Sequence, residues 1–111
     1  MASHIDDQVI QFREKIMPRL IERFQPQQVL LFGSRATDSA LEDSDLDIII
    51  ISEKFQGLPW PQRVFEVLWT LKSPIPLDVL CYTPEEVQAR SQEVDWVAQA
   101  LNHGVVLFKS M

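Results

Sequence analysis

The sequence predicts a single α/β (α+β) domain, in which helices pack on a mixed β-sheet of about four strands. Three observations lead to this prediction. The chain has 111 residues, of which 46% are hydrophobic, which is enough apolar surface for one core and too little for two. Short apolar runs rich in β-branched residues are typical of strands, and the segments between them have helical periodicity. The resulting order, α-β-loop-β-α-β-α-α-β, is typical of helices packed on a sheet, so residues 1–111 are expected to form one domain.

The first predicted element is an amphipathic helix over residues 4–24. Its apolar side chains recur at helical spacing: Ile5, Val9, Phe12, Ile16, Leu20 and Phe24. Pro18 lies inside this pattern and is expected to kink the helix or divide it in two. Pro26 is expected to end it.

Four strands are predicted, at residues 29–32, Leu46–Ile51, Leu77–Tyr82 and 105–108. The second is almost wholly apolar and β-branched, which is typical of a strand that is covered on both faces. We therefore expect it to lie centrally in the sheet. Residues 55–61 are predicted to form a loop.

Three further helices are predicted around the third strand. One is marked by Val64, Phe65, Leu68, Trp69 and Leu71, with Pro61 near its first turn. Another begins at a capping box formed by Thr83, Pro84 and Glu86. The last is marked by Val94, Val97, Ala98 and Leu101 and ends at Gly104.

The composition narrows the classes of ligand and compartment. The formal net charge is −6, and no run of Lys or Arg is present, so long nucleic acid is not expected to be the main ligand. A nucleotide accompanied by a metal cation remains compatible with this charge. Cys81 is the only cysteine and is expected to be a small buried side chain in a reducing compartment, the cytoplasm. Neither a signal peptide nor an apolar run long enough to span a membrane is recognised.

A possible phosphate-binding segment follows the first strand. Gly33 lets backbone N–H groups approach a ligand closely, and Ser34 adds a hydroxyl donor. Arg35 adds a guanidinium group suited to phosphate. Gly33 and Ser34 could instead form a simple turn, and Arg35 a surface ion pair.

Three carboxylates have the pattern of a divalent-metal site. Asp45 and Asp47 are two residues apart at the start of a strand, so both side chains leave the same face. Two adjacent like charges need compensation, which Mg²⁺ would provide. Asp78 lies between two apolar residues of another strand. Its carboxylate would join those of Asp45 and Asp47 if the two strands were neighbours. The alternatives are a solvated acidic edge for the pair and a strand-edge carboxylate for Asp78.

The residues of this constellation resemble a known family. Gly33-Ser34, ten intervening residues and then Asp45-Leu46-Asp47 match the signature of the DNA polymerase β-like nucleotidyltransferase superfamily. The small size and the closing strand resemble its minimal nucleotidyltransferase branch, over nearly the whole chain. The resemblance implies that Gly33 and Ser34, with Arg35 as a further contact, bind the phosphates of ATP. It also implies that Asp45, Asp47 and Asp78 are catalytic and hold two Mg²⁺ ions.

The same resemblance implies a partner. Minimal nucleotidyltransferases of this size resemble the antitoxins of two-gene toxin–antitoxin modules, in which AMP is transferred from ATP to a tyrosine of a HEPN ribonuclease toxin. The expected function is therefore toxin AMPylation, within a possible hetero-oligomer. One alternative is an antitoxin that masks its partner by binding alone. Another is transfer to a small molecule such as an aminoglycoside, although the chain lacks the second domain that binds such acceptors.

Overall fold

The computed structural model describes residues 7–32, 46–75, 77–90 and 104–110. Four strands lie in this part of the chain: β1 (Gln28–Phe32), β2 (Leu46–Ile51), β3 (Leu77–Tyr82) and β4 (Val105–Lys109). They form one sheet in the order β3-β2-β1-β4. β1 is antiparallel to both β2 and β4, whereas β2 is parallel to β3. The predicted mixed sheet of about four strands is confirmed.

The first helical region is divided, as predicted from the position of Pro18. Helix α1 (Asp7–Gln11) leads into a π-helical turn (Phe12–Ile16), and α2 (Met17–Phe24) follows. The Met17 N–H bonds to the Phe12 carbonyl, five residues back. In a straight α-helix the ring of Pro18 would clash with the carbonyl four residues earlier, and the wider π turn lies directly before it. Gln25 ends α2 in the left-handed conformation.

Helix α3 (Trp60–Leu71) connects β2 to β3 and begins earlier than expected. Residues 55–61 were predicted as a loop, but this segment contains the start of α3, and a 3₁₀ turn (Glu53–Phe55) precedes it. Pro59 caps the helix in an extended conformation, and a proline in the first turn is compatible with a helix because its missing N–H would be unpaired there. The prolines that indicated a loop therefore also fit a helix start.

The predicted capping box opens helix α4 (Pro84–Arg90). The Thr83 N–H donates to Glu86 Oε1 at 2.9 Å, and the Glu86 N–H donates to Thr83 Oγ1 at 3.2 Å. The predicted helix over residues 94–101 lies outside the described residues, as does the start of the first helix before Asp7.

The sheet has a larger and a smaller apolar layer. On one face, alternate residues of β2 pack against the helices in the main core, which includes Leu46, Ile48, Ile50, Phe12, Leu20, Phe24, Val67, Leu71 and Cys81. On the other face, Leu30, Ile49, Ile51 and Tyr82 form a smaller cluster to which Val87 of α4 adds. β2 is therefore central and covered on both faces, as predicted. No helix in the described part of the chain is long and apolar enough to cross a bilayer.

Candidate active site

Asp47 and Asp78 lie directly opposite each other on neighbouring parallel strands. Adjacent strands are about 4.8 Å apart, so the register brings two carboxylate side chains of one sheet face together. Asp47 is half-buried and Asp78 is exposed, which leaves the pair open to solvent and to a charged ligand. The pairing of these two strands meets the condition that the sequence left open for Asp78.

The smaller apolar cluster lies on the same face of the sheet as this acidic pair. Asp47 alternates with Leu46 and Ile48, which belong to the main core, so it shares its face with Ile49 and Ile51. A close-packed layer beneath a polar site limits the movement of the strands that carry it. The backbone positions of Asp47 and Asp78 are thus fixed by burial of their neighbours.

The chain enters and leaves the predicted phosphate-binding segment at the same end of the sheet. Phe32, the last residue of β1, pairs with Asp47, and Leu46, the first residue of β2, pairs with Leu77. Residues 33–45 connect these two points. The predicted ligands within this segment, Gly33, Ser34, Arg35 and Asp45, lie outside the described residues, so their roles stay predictions.

The described residues supply two of the three predicted metal-binding carboxylates. Carboxylate oxygens are preferred Mg²⁺ ligands, and two of them side by side are compensated best by a divalent cation. Asp47 and Asp78 fit that requirement by residue type and register. Within residues 7–32, 46–75, 77–90 and 104–110, no group of three or more His, Cys, Asp or Glu side chains could hold a metal ion. A metal site here would need a further ligand, for which the sequence offers Asp45.

Helix α4 is held beside this face by a pair of residues that sequence reasoning missed. Arg63 of α3 is buried and pairs with Glu86 of α4, with 2.7 Å between Nη1 and Oε1. Hydrogen bonds from Arg63 lower the pKa of Glu86, an effect that burial opposes and the Thr83 backbone N–H reinforces. The capping box singled out Glu86, but no local pattern connects it with a residue 23 positions away.

A separate pocket of about 460 Å³ opens at the other end of β2, between Ile51, Val87 and Lys109. Ile51 lies four positions beyond Asp47 along the strand, or roughly 13 Å away. The pocket is therefore not part of the acidic pair's immediate surroundings.

Comparison with known proteins identifies the family. Residues 13–107 match the family model described as nucleotidyltransferase domain. A crystal structure of a protein from Sulfolobus solfataricus, described as a candidate nucleotidyltransferase, superimposes with a TM-score of 0.66. The match covers 98% of this chain and 90% of that one at 18% sequence identity, so it shows a shared fold. The curated proteins contain no match to this chain.

Proposed function

Because this chain belongs to the nucleotidyltransferase domain family, we propose that it transfers AMP from ATP to a hydroxyl group, with a tyrosine of a partner HEPN ribonuclease toxin as the acceptor. The observation that carries the proposal is the register of Asp47 opposite Asp78. In the transfer, the acceptor oxygen forms a bond to the α-phosphorus of ATP. The bond between the α-phosphorus and the bridging oxygen breaks, and pyrophosphate leaves.

The proposed roles follow from the position and chemistry of each side chain. Asp47, Asp78 and Asp45 would hold two Mg²⁺ ions, which neutralise phosphate charge and lower the pKa of the attacking hydroxyl. Asp78 is the more exposed member of the acidic pair, and its carboxylate can accept the proton of the incoming hydroxyl. Gly33, Ser34 and Arg35 would bind the β- and γ-phosphates. These last assignments rest on the sequence motif.

The test is incubation with labelled ATP and Mg²⁺, with and without the candidate toxin, followed by mass spectrometry of both proteins. We expect an added AMP on the toxin. Asp47→Asn and Asp78→Asn should each reduce transfer at least about 100-fold, because each removes a charged ligand of the metal. Glu53→Gln is a matched control, since Glu53 is an exposed carboxylate beyond the opposite end of β2. Full transfer by either Asn variant, with folding intact, would refute the mechanism.

A second candidate function is an antitoxin that covers its partner without catalysis. It is favoured by the exposed aromatic side chains of α3, which offer a protein-binding surface. A tight complex that inhibits the toxin equally well with wild-type and Asp47→Asn protein, and without AMP transfer, would support masking. Inhibition that requires both ATP and Asp47 would support transfer.

A further inference from the structure

Helix α3 is apolar on the side that faces away from the core. Val67 and Leu71 are buried against the sheet. On the opposite side, Phe65 is 63% exposed, Trp69 64% and Leu68 42%. A helix on the surface of a globular protein normally carries polar residues outward, and one that is apolar all round is normally covered. We call Phe65, Leu68 and Trp69 the α3 outer surface.

The aromatic rings of this surface are already arranged as a unit. The rings of Phe65 and Trp69 stack with centroids 6.1 Å apart and planes at 15°. The Lys72 ammonium lies over the Trp69 ring, 5.2 Å from its centroid. Large, rigid aromatic side chains are the usual energetic centres of protein interfaces, because they bury much area at a small cost in side-chain entropy.

Cationic side chains border the α3 outer surface, although the chain as a whole is acidic. Arg19 of α2 donates to the Leu71 carbonyl at the end of α3, at 3.0 Å. Arg23 of α2 lies 3.6 Å from the carboxylate of Glu66 of α3. Together with Lys72, Arg19 and Arg23 leave an excess of positive charge beside the apolar centre, because Glu66 offsets only one of these three cations.

We propose that the α3 outer surface docks an amphipathic helix of a partner protein, one that carries acidic side chains beside its apolar ones. The apolar side chains of that helix would cover Phe65, Leu68 and Trp69, and its carboxylates would meet the cationic border. α3 belongs to the helical layer on the sheet face opposite Asp47 and Asp78. Docking there leaves the acidic pair accessible, so this proposal goes beyond the proposed transfer and does not require it.

A second copy of the chain fits this surface less well. In a two-fold symmetric dimer the same patch meets itself, so the mostly cationic border of Arg19, Arg23 and Lys72 would meet a second mostly cationic border. Like charges at the border of an interface oppose association. The charge pattern therefore favours a different partner with carboxylates at the matching positions.

The experiment uses two labelled synthetic peptides that form the same amphipathic helix of about 18 residues. Both peptides carry leucines along one face of the helix. Beside these leucines, one peptide has Glu residues and the other has Lys residues. In fluorescence anisotropy at low ionic strength, the Glu peptide should bind at least about tenfold more tightly than the Lys peptide. The double variant Phe65→Gln, Trp69→Gln should abolish binding, and Lys72→Glu should reduce the preference for the Glu peptide.

Two control variants separate the docking surface from other causes. Val106→Gln changes an apolar side chain of similar exposure on β4 and should bind like the wild type. Asp47→Asn should also bind normally, so that loss of transfer and loss of docking are distinguishable. Equal affinity for the two peptides, no binding of either, or binding unaffected by the double variant would overturn the proposal. Self-association in analytical ultracentrifugation that the double variant abolishes would also overturn it, by assigning the surface to a second copy.

Discussion

The guanidinium group of Arg63 and the carboxylate of Glu86 form a two-pronged ion pair, with Nη1–Oε1 at 2.7 Å and Nη2–Oε2 at 3.1 Å. Arg63 also donates from Nε to the Leu58 carbonyl at 2.8 Å and from Nη1 to the Cys81 carbonyl at 3.1 Å. One buried side chain therefore connects the start of α3, the end of β3 and the first turn of α4. Glu86 contributes to this connection and to the capping box with the same carboxylate.

Glu86→Ala should lower the free energy of unfolding by about 2 kcal/mol, because it leaves the Arg63 guanidinium buried without its charged acceptor. The cost stays below that of a fully buried pair, since the Glu86 side chain is 41% exposed. Urea denaturation gives the value. Glu85→Ala is the matched control, because Glu85 is an exposed neighbour in the same helical turn and should change stability little. Equal effects of the two substitutions would contradict the role of the pair.

Stability should decrease in acid by an amount that depends on Glu86. Its pKa is lowered in the folded protein from the ordinary value of 4.5, chiefly by the hydrogen bonds from Arg63. The carboxylate therefore stabilises the fold fully above pH 4.5, and this contribution is lost as the pH falls from there through the lower folded pKa. Denaturation of wild type and Glu86→Gln from pH 7 to 3 should show a difference that shrinks in this window. A difference that is constant with pH would exclude the carboxylate as its source.

Cys81 should resist alkylation while the protein is folded. Its side chain is fully buried, and desolvation raises the pKa of its thiol to about 12, against a smaller opposing effect of Arg63. At pH 8 the thiolate fraction should be on the order of a thousand times lower than in an unfolded chain. Labelling with a thiol reagent, followed by mass spectrometry, should be slow in buffer and fast in guanidinium chloride. Rapid labelling of the native protein would show that the end of β3 opens readily.

Phe12→Ala should destabilise the protein by about 3–5 kcal/mol. Phe12 belongs to the π-helical turn, its ring is fully buried in the main core, and its removal leaves a cavity. Ile10→Ala, two residues earlier, should cost well under half as much because Ile10 is 38% exposed. Thermal or urea unfolding of both variants checks the orientation of this turn. A larger loss for Ile10→Ala would mean that the helix is rotated relative to the sheet.

The strands were the most predictable part of the fold. β2 and β3 begin and end at the predicted residues, because both are short apolar runs bounded by polar or proline-containing segments. Their pairing places Asp47 opposite Asp78, which the strand patterns left open because they do not show which strands are neighbours. The alternation of buried and exposed positions in a strand fixes which face a carboxylate occupies.

The orientation of α3 was less predictable. Phe65, Leu68 and Trp69 helped to mark it as a helix, but they point away from the core, and Val67 and Leu71 point inward. When both sides of a helix are apolar, the periodicity indicates a helix without showing which side is buried. Local sequence patterns do not predict the Arg63–Glu86 pair either, because it forms only when α3 and α4 meet in the folded chain.

The arrangement of β1 beside β4 has a consequence for biosynthesis. Gln28 pairs with Lys109 and Leu31 with Val105, so β4, which leaves the ribosome after β1, β2 and β3, completes the hydrogen bonding of β1. Until then the nascent chain presents Val29, Leu30 and Leu31 along an open strand edge, which is a template for pairing with other chains. Synthesis that stalls before β4 should therefore yield a chain that aggregates or depends on chaperones.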